Sequence, residues 1–192
     1  PLVGNFNDSA WIKQVWKNKS SQKINNKNFG PGEFISCLGQ ELDEDTIIAT
    51  DVGQHQMWTA QKYPFHKPRR FLTSGGLGTM GFGMPAAMGA ALVNPDKKVI
   101  SLSGDGSILM NIQELATLCE ENLNVKIIIF NNGHLGLVRQ QQELFYNKNF
   151  IASKFSCNPD FVTIAKGFGI PAIRINCEKA GMKKIKGIIS HN

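Results

Sequence analysis

The sequence of 192 residues contains no long hydrophobic run. A membrane-spanning helix needs roughly 20 consecutive apolar residues, and no stretch approaches that length. The first residues also lack the pattern of a secretory signal peptide. We therefore expect no membrane association and a cytoplasmic location. The chain begins with Pro1 rather than methionine, so we expect it to be a piece of a longer protein.

Cysteine is scarce as well. The four cysteines are Cys37, Cys119, Cys157 and Cys177, and no two of them form a CxxC pair. Cys119 falls on the apolar face of a predicted helix. Zinc sites and disulfide frameworks in small domains rely on closely patterned cysteines, so reduced thiols are the better interpretation.

Acidic residues are fewer than basic ones, 15 against 21, which gives a net charge of +6. The lysines gather near the two ends, at residues 13–27 and 179–186. They lack the interleaved aromatic residues on which single-stranded nucleic acid stacks. We interpret them as a solvated surface and expect no nucleic-acid partner.

The sequence does contain a βαβ pattern between Lys98 and Asn132. A short run, Val99 to Ser103, ends at Gly104-Asp105-Gly106-Ser107, and an amphipathic segment follows. Its apolar face comprises Ile108, Ile112, Leu115, Leu118 and Cys119. The almost wholly apolar Val125 to Phe130 then resembles a parallel strand that is buried on both faces. Right-handed crossover places the carboxyl ends of both strands at one edge of the sheet, so Asp105 and Asn132 should be neighbours.

The pattern predicts an α/β fold, a doubly wound parallel sheet with helices on both faces. Further helices are expected from Asp8 or Ser9 through Trp16, from Pro31 (burying Phe34, Leu38 and Leu42), and over Leu135–Tyr146, Asp160–Phe168 and Glu178–Ser190. Strands are expected at Thr46–Thr50 and Pro171–Ile175, whereas Phe71–Ser74 is a poor strand candidate.

The predicted pair of Asp105 and Asn132 has a definite chemistry. A carboxylate and an amide oxygen are hard ligands that suit Mg²⁺ or Ca²⁺ bound together with phosphate oxygens. The backbone N–H groups of Gly106 and Ser107, at a helix start, can bind the phosphates. We expect Asp105 to lie at an exposed strand end, next to a metal-bridged diphosphate.

These residues also resemble a known family. The GDG triplet, followed after 24 residues (Ser107 to Phe130) by an Asn-Asn pair, resembles the thiamine-diphosphate-binding motif of thiamine-dependent enzymes. Three further blocks are TDVGQHQMW (Thr50–Trp58), SGGLGTMGFGMPAAMGAA (Ser74–Ala91) and NNGHLGLVRQQQELFY (Asn131–Tyr146). In this order they resemble the catalytic subunits of acetolactate (acetohydroxyacid) synthases, which belong to branched-chain amino acid biosynthesis.

The resemblance implies a role for each matching residue. Asp105, Asn132 and the backbone carbonyl of His134 would bind Mg²⁺. The residues implied to contact thiamine diphosphate are Gln54, His55, Gly78, Met80, Gly106, Ser107, His134 and Leu135. The glutamate that activates the cofactor belongs, in the family, to another domain of a neighbouring subunit. We therefore expect no catalytic residue in this fragment, and the fragment alone should be inactive.

The implied reaction decarboxylates pyruvate and joins the two-carbon unit to a second 2-oxo acid, pyruvate or 2-oxobutyrate. Most members of the family carry tryptophan where Gln141 stands, in the substrate channel, so the preference for the second substrate is open. A homodimer or homotetramer and a small regulatory subunit are implied partners. FAD in the full-length enzyme, through a domain that this sequence does not match, is left open.

Other interpretations remain at this point. Another thiamine-dependent decarboxylase or carboligase could share the scaffold. Gly76 to Gly81 matches the GxGxxG motif, which is the only support for a nucleotide-binding module. A dinucleotide site would need a firm strand before this motif and an acidic residue about 20 positions after it. Met80 could be an ordinary core residue.

The chain divides at a polar, turn-rich stretch that ends near Gly30. By resemblance, residues 1–30 would be the tail of a preceding central domain and a linker. Residues 31–192 would be the thiamine-diphosphate-binding domain, shortened at its C-terminus.

Overall fold

The computed structural model describes residues 30–175 and, near the two ends, the single positions 10, 13, 14, 17, 186, 187 and 189. The strands are β1 (Ile47–Thr50), β2 (Phe71–Thr73), β3 (Val99–Gly104) and β4 (Val125–Phe130). The helices are α1 (Pro31–Glu41), α2 (Gln54–Lys62), α3 (Gly83–Val93), α4 (Asp105–Ile108), α5 (Leu115–Glu120), α6 (Gly136–Phe145) and α7 (Phe161–Gly167), with a 3₁₀ turn at Ile112–Glu114. The four strands form one parallel sheet in the order β2-β1-β3-β4.

Helices cover both faces of this sheet. Successive side chains of a strand point to opposite faces. Accordingly, Ile47 and Ala49 of β1 pack into a core cluster with α3, whereas Ile48 packs into a second cluster with α1. The residues of β1 and β3 are almost completely buried, as expected for central parallel strands. The predicted doubly wound α/β fold is confirmed.

The strand order creates a switch point between β1 and β3. After β1 the chain adds β2 on one side, and it then returns to place β3 on the other side. Ligands of open parallel sheets bind outside the carboxyl ends of the strands at such a point. The residues that follow β1 and β3 here are Asp51 and Asp105.

Helix α1 begins as the sequence predicts. Pro31 is its first residue, and the backbone N–H of Gly30 donates to Glu33 Oε2 at 3.1 Å. Proline suits this position because the N–H that it lacks would have no intrahelical acceptor. Leu38 and Leu42 are buried in the second core cluster and Phe34 is partly buried against it.

Three expectations about elements are wrong. Residues 108–119 do not form one helix, because Asn111 leaves helical geometry and donates through Nδ2 to the Gly81 carbonyl at 2.7 Å. Phe71–Thr73 is a true edge strand paired with β1. Residues 171–175 are not a strand, since no ladder pairs them within the described residues. Cys119 is exposed, and with Cys37 and Cys157 it is a free thiol.

The two terminal helices are described only in part. Positions 10, 13, 14 and 17 are helical, as are positions 186, 187 and 189. The remaining residues of the helices expected from Asp8 or Ser9 and over Glu178–Ser190 lie outside the described residues, as does Cys177. Among the helices that the structure describes, none is both long and apolar enough to cross a membrane.

Candidate cofactor site

The loops after β3 and β4 meet at the carboxyl edge of the sheet. Gly104 of β3 is in register with Phe130 of β4, so the two strands end at the same level. The backbone N–H of Gly133 then donates to Asp105 Oδ2 at 2.7 Å. The predicted proximity of Asp105 to the Asn131-Asn132-Gly133 turn is therefore confirmed.

Asp105 is buried, not exposed as expected from its place at a strand end. Its relative exposure is 2%. Oδ1 accepts from the Gly106 N–H at 3.1 Å, and Oδ2 accepts from Gly133 N–H and from Nδ2 of Asn158 at 2.9 Å. A buried carboxylate is stable only when it is hydrogen-bonded in this way. The side chain thus supports the loops as well as being available to a ligand.

Gly106 lies at a position that has no space for a Cβ atom. A Cβ atom on it would lie 2.7 Å from Leu135 Cδ2 and 2.9 Å from Phe155 Cζ. Leu135 is therefore brought directly over the Gly-Asp-Gly-Ser turn. The Ser107 hydroxyl donates to the Gly104 carbonyl at 3.3 Å and accepts from the Gly104 N–H at 3.1 Å. The Gly106 N–H, one of the two backbone groups that the sequence assigned to phosphates, already donates to Asp105 Oδ1 and so stabilises the turn.

His55 occupies the switch point itself. Its ring lies between Gly53 and Gly104, either of which would bring a Cβ to 2.7–3.0 Å of the ring's Cε1. It stacks on Phe130 with centroids 6.4 Å apart. Burial lowers the pKa of His55 to about 4, although a hydrogen bond to the Asp51 carbonyl opposes the shift. Nε2 is buried without a hydrogen-bond partner, so the bond to Asp51 uses Nδ1.

Gln54 and Asn132 meet over the first residue of α6. A Cβ atom on Gly136 would overlap Gln54 Oε1 and would lie 2.8 Å from Asn132 Nδ2. Gln54 Nε2 also donates to Gln140 Oε1 at 2.9 Å. The absence of a side chain at Gly136 therefore joins the loop after β1 to the loop after β4.

The His134 ring organises its own loop. The backbone N–H of His134 donates to Asn132 Oδ1 at 2.9 Å, and Nδ1 lies 2.7 Å from the Asn132 carbonyl. Arg139 donates through Nη1 to His134 Nε2. Arginine can only donate, so Nε2 is the acceptor and Nδ1 carries the proton that Asn132 accepts. The imidazole is engaged within the loop, in agreement with a role for the backbone carbonyl rather than the ring.

The glycine-rich loop reaches the same edge through Asp51. The Gly81 N–H donates to Asp51 Oδ1 at 2.8 Å, and a Cβ on Gly83 would lie 2.5 Å from the Asp51 nitrogen. Gly78 is exposed with φ +64°, where glycine is favoured. Met80 is half-buried and belongs to neither core cluster, which disfavours its interpretation as a core residue. No described contact joins Gly78 or Met80 to Asp105.

Sequence reasoning missed two residues of the site. Asp51 is fully buried, and burial raises the pKa of its carboxyl despite hydrogen bonds from the backbone. Asn158 bonds to Asp105 across 53 positions. The only signal for Asp51 was its place at the end of a strand, beside Val52 and Gly53. The Cys157-Asn158-Pro159 stretch gave no signal for the role of Asn158, because asparagine is common in the turn before a helix.

Gln141 lies on the outer side of α6 and is exposed. The same segment exposes several large apolar side chains: Val138 at 41%, Leu144 at 63%, Phe145 at 75% and Tyr146 at 65%. Gln140, one residue earlier, contacts Gln54, so α6 borders the site while Gln141 points away from the described core.

The donor set of the site is oxygen-rich rather than a cluster of classical metal ligands. Among the described residues, no group of three or more His, Cys, Asp or Glu side chains could hold a metal. Asp105 Oδ1 and Asn132 Oδ1 each accept one hydrogen bond. A carbonyl-type oxygen has two lone pairs, so each retains one for a cation. The residues present therefore fit a hard cation that shares its shell with phosphate oxygens.

The carboxyl edge of this parallel sheet is polar and lined by glycines at the switch point between β1 and β3. This arrangement defines a class of domain that binds diphosphates. Residues 51–192 match the family model "Thiamine pyrophosphate enzyme, C-terminal TPP binding domain", and the chain belongs to this family. The family contradicts the nucleotide-binding alternative that GxGxxG suggested.

The relatives narrow the similarity further. The chain is 54% identical over 157 residues to the acetolactate synthase isozyme 1 large subunit of Escherichia coli (strain K12), which covers 82% of this chain and 28% of that protein. It is 46% identical over 178 residues to the acetolactate synthase large subunit of Lactococcus lactis, covering 91% and 31%. It is 46% identical over 191 residues to acetolactate synthase 1, chloroplastic, of Oryza sativa, covering 92% and 30%. The resemblance noted in the sequence is confirmed, and the chain spans less than a third of these relatives.

Proposed function

We propose that this chain is the cofactor-binding part of an acetolactate synthase, which decarboxylates pyruvate and ligates the two-carbon unit to a second 2-oxo acid. The observation that carries the proposal is the convergence of Asp105, Asn132 and His55 at the switch point. Each of them keeps an oxygen or nitrogen atom with unused hydrogen-bonding or ligand capacity. The names of the relatives supply the reaction class.

In this proposal the chain's residues bind and orient the cofactor. Asp105, Asn132 and the His134 carbonyl would hold Mg²⁺, and Gln54 and His55 would bind the diphosphate. Gly106 and Ser107 approach it from the turn after β3, with Leu135 beside them. Gly78 and Met80 face the ring portion. When bound, thiamine diphosphate supplies the nucleophilic carbon and the electron sink that decarboxylation of a 2-oxo acid needs.

His55 must carry a proton at Nε2 to bind a phosphate oxygen. The bond from Nδ1 to the Asp51 carbonyl fixes the neutral ring with Nε2 as an acceptor. An anionic diphosphate stabilises the charged form of a nearby imidazole. Cofactor binding is therefore expected to place a proton on Nε2 and to exclude water from this position.

The activity of the whole protein depends on parts that these residues do not supply. A general base must lie within hydrogen-bond reach of the proton that it removes, and the activating glutamate is expected in another domain of a neighbouring subunit. We propose a homodimer or homotetramer with a small regulatory subunit. A cytoplasmic location, the division near residue 30 and the binding of FAD elsewhere stay predictions.

Asp105→Ala tests the metal assignment. We expect Mg²⁺-dependent binding of thiamine diphosphate, followed by calorimetry, to be lost, because the only carboxylate of the ligand set is removed. Since Asp105 is buried and accepts three hydrogen bonds, the change should also cost about 1–3 kcal/mol of stability. Circular dichroism then establishes that the variant is folded at the temperature of the titration.

The control separates function from folding. Asn94→Ala removes an amide that donates to the Ala90 carbonyl at the end of α3, away from the site, and should bind the cofactor normally. A folded Asp105→Ala protein with unchanged cofactor affinity contradicts the ligand assignment. A product assay on the full-length enzyme, acetolactate against aldehyde, distinguishes the synthase from another thiamine-dependent decarboxylase.

A further inference from the structure

Asn158 joins the two loops that carry the proposed metal ligands. Its Nδ2 donates to Asp105 Oδ2 at 2.9 Å and to Asn131 Oδ1 at 2.7 Å. We infer that Asn158 is a positioning residue for the metal centre, which orients the Asp105 carboxylate without binding the metal itself. The inference rests on the proposed function, since it concerns the same cation.

The partners of Asn158 determine which way its amide faces. An ionised carboxylate can only accept hydrogen bonds. Turning the amide over would place Oδ1 of Asn158 against Asp105 Oδ2 and Asn131 Oδ1, two oxygen atoms at hydrogen-bond distance. The NH₂ group therefore faces both loops, and each of its two hydrogens has an acceptor.

The hydrogen bonds divide the two oxygens of Asp105 into different roles. Oδ2 accepts from the Gly133 N–H at 2.7 Å and from Asn158 at 2.9 Å, which uses both of its lone pairs. Among the described residues, Oδ1 accepts only from the Gly106 N–H, at 3.1 Å. Asn158 thus leaves Oδ1 as the oxygen that can ligate a cation and fixes the plane of the carboxylate around it.

The two hydrogen bonds from the Asn158 amide also fix the distance between the proposed metal ligands. Asp105 follows β3, and Asn131 is the residue directly before the ligand Asn132. Because one amide holds both, the distance between the two ligand loops cannot change without breaking a hydrogen bond. Partners that orient metal-binding carboxylates typically affect metal affinity by about 10- to 100-fold.

Asn158 contributes little net free energy to the stability of the fold. Its Oδ1 is buried and has no hydrogen-bond partner within the part of the chain that the structure describes, and an unpaired buried polar group costs about 1–3 kcal/mol. Truncation removes this unfavourable group together with two favourable bonds. Asp105 Oδ2 keeps the bond from Gly133, and Asn131 is exposed and can bind water. The stability of the metal-free protein should therefore change little when Asn158 is replaced.

The test measures metal binding by the full-length protein. Wild type, Asn158→Ala, Asn158→Asp and the control Asn94→Ala are titrated with Mn²⁺ in the presence of thiamine diphosphate, and free Mn²⁺ is followed by electron paramagnetic resonance. Thermal unfolding is measured in parallel with a chelator. Both Asn158 variants should bind Mn²⁺ about 10- to 100-fold more weakly, whereas Asn94→Ala should bind Mn²⁺ normally. The unfolding temperature of Asn158→Ala should stay close to wild type, while that of Asn158→Asp should fall, because its carboxylate faces the buried Asp105 carboxylate.

The outcomes separate this inference from the proposed function. If wild type binds no Mn²⁺ with thiamine diphosphate, the proposed function fails, and the inference fails with it. If wild type binds Mn²⁺ and Asn158→Ala binds it equally well, only the positioning role is overturned. Tighter binding by Asn158→Asp would make residue 158 a metal ligand and would equally overturn the donor role.

Discussion

At the scale of single residues, His55 shows how burial defines a group's chemistry. The ring is 4% exposed and lies between two glycine backbones and the Phe130 ring. Burial disfavours the charged imidazolium and lowers the pKa of His55 from 6.5 to about 4. In the absence of an anionic ligand, the folded protein therefore holds this histidine neutral well below pH 6.

This pKa shift makes stability depend on pH. The unfolded chain binds a proton at His55 below about pH 6.5, whereas the folded protein resists it until about pH 4. The histidine's contribution is therefore fully present above pH 6.5 and is lost as the pH falls towards 4, by about 3 kcal/mol in total. Urea unfolding of the cofactor-free protein at several pH values between 4 and 8 measures it.

The matched variant is His55→Phe, which keeps an aromatic ring against Phe130 but does not titrate. The contributions of other groups, such as the raised pKa of Asp51, are common to both proteins and cancel in the difference. The free energy of unfolding of wild type should fall relative to that of His55→Phe as the solution is acidified. Parallel curves for the two proteins would contradict the assignment of a buried neutral histidine.

At the scale of elements, the start of α6 joins two loops of the site. Gly136 is the first residue of this helix, and Gln54 and Asn132 fill the space that a side chain would occupy. A helix entry packed this closely transmits any displacement to both loops. The element therefore positions Asn132, the proposed metal ligand, as well as forming part of the outer layer.

Gly136→Ala should weaken cofactor binding. The new methyl group overlaps Gln54 Oε1 and lies 2.8 Å from Asn132 Nδ2, so one of these side chains must move. Overpacking of this kind typically costs about 1–3 kcal/mol, and we expect thiamine diphosphate with Mg²⁺ to bind about 10-fold or more weakly. Isothermal titration measures the affinity.

A glycine with open space provides the control. Gly89 lies inside α3, is exposed, and has no atom within 4 Å of its missing Cβ. Gly89→Ala should raise stability by about 0.5–1 kcal/mol and leave cofactor affinity unchanged. Equal cofactor affinity for Gly136→Ala and Gly89→Ala would show that the α6 entry does not position the ligands.

The sequence predicted elements whose pattern is local. The strand at Val125–Phe130 and the start of α1 at Pro31 were correct, because an apolar run and a helix start depend on adjacent residues. The expected burial of this strand on both faces was wrong, since β4 is the last strand of the described sheet and only Val125 is buried. The pairing of Asp105 with the Asn132 loop followed from the handedness of βαβ crossovers. The break near Asn111 could not be predicted, because its cause is a hydrogen bond to Gly81, 30 positions away.

The same limit applies to the site. Glycines and a carboxylate in a short motif indicate a diphosphate site. The hydrogen bond by which Asn158 orients Asp105, in contrast, joins residues that are 53 positions apart in the sequence. The burial of Asp105 and of Asp51 depends on the loops that fold over them. Local patterns therefore predicted the proposed ligands, whereas the residues that orient them could be found only in the folded structure.

At the scale of the whole molecule, the described part of the chain has two distinct regions. One is the carboxyl edge of the sheet, where hydrogen bonds hold the residues of the candidate cofactor site. The other is helix α6, whose outer side is exposed. The segment around α6 exposes Phe145 at 75% and Tyr146 at 65%. The chain spans less than a third of its relatives, and the activating glutamate of the proposed enzyme is expected outside these residues. We therefore expect the 192-residue chain alone to form no acetolactate from pyruvate, even with cofactor and metal in excess; acetolactate formation would show that the base lies within it.

Gln141 is the residue that we propose to influence the choice of the second substrate. It is exposed on α6 beside Gln140, which contacts Gln54, so it borders the cofactor edge from outside the described core. The family resemblance implies a tryptophan here that presents an apolar face to the incoming 2-oxo acid. Phe145, one helical turn later, is itself exposed and does not fill the position in the described part of the chain.

We predict that Gln141→Trp shifts the full-length enzyme towards 2-oxobutyrate as second substrate. One methylene in an apolar pocket is worth about 1–3 kcal/mol, or roughly 10- to 200-fold in specificity, whereas a glutamine amide prefers water to an ethyl group. Competition between pyruvate and 2-oxobutyrate gives the product ratio directly. Gln61→Trp, at an exposed glutamine near the far end of α2, should keep the wild-type ratio, and the same ratio in Gln141→Trp would remove Gln141 from the substrate channel.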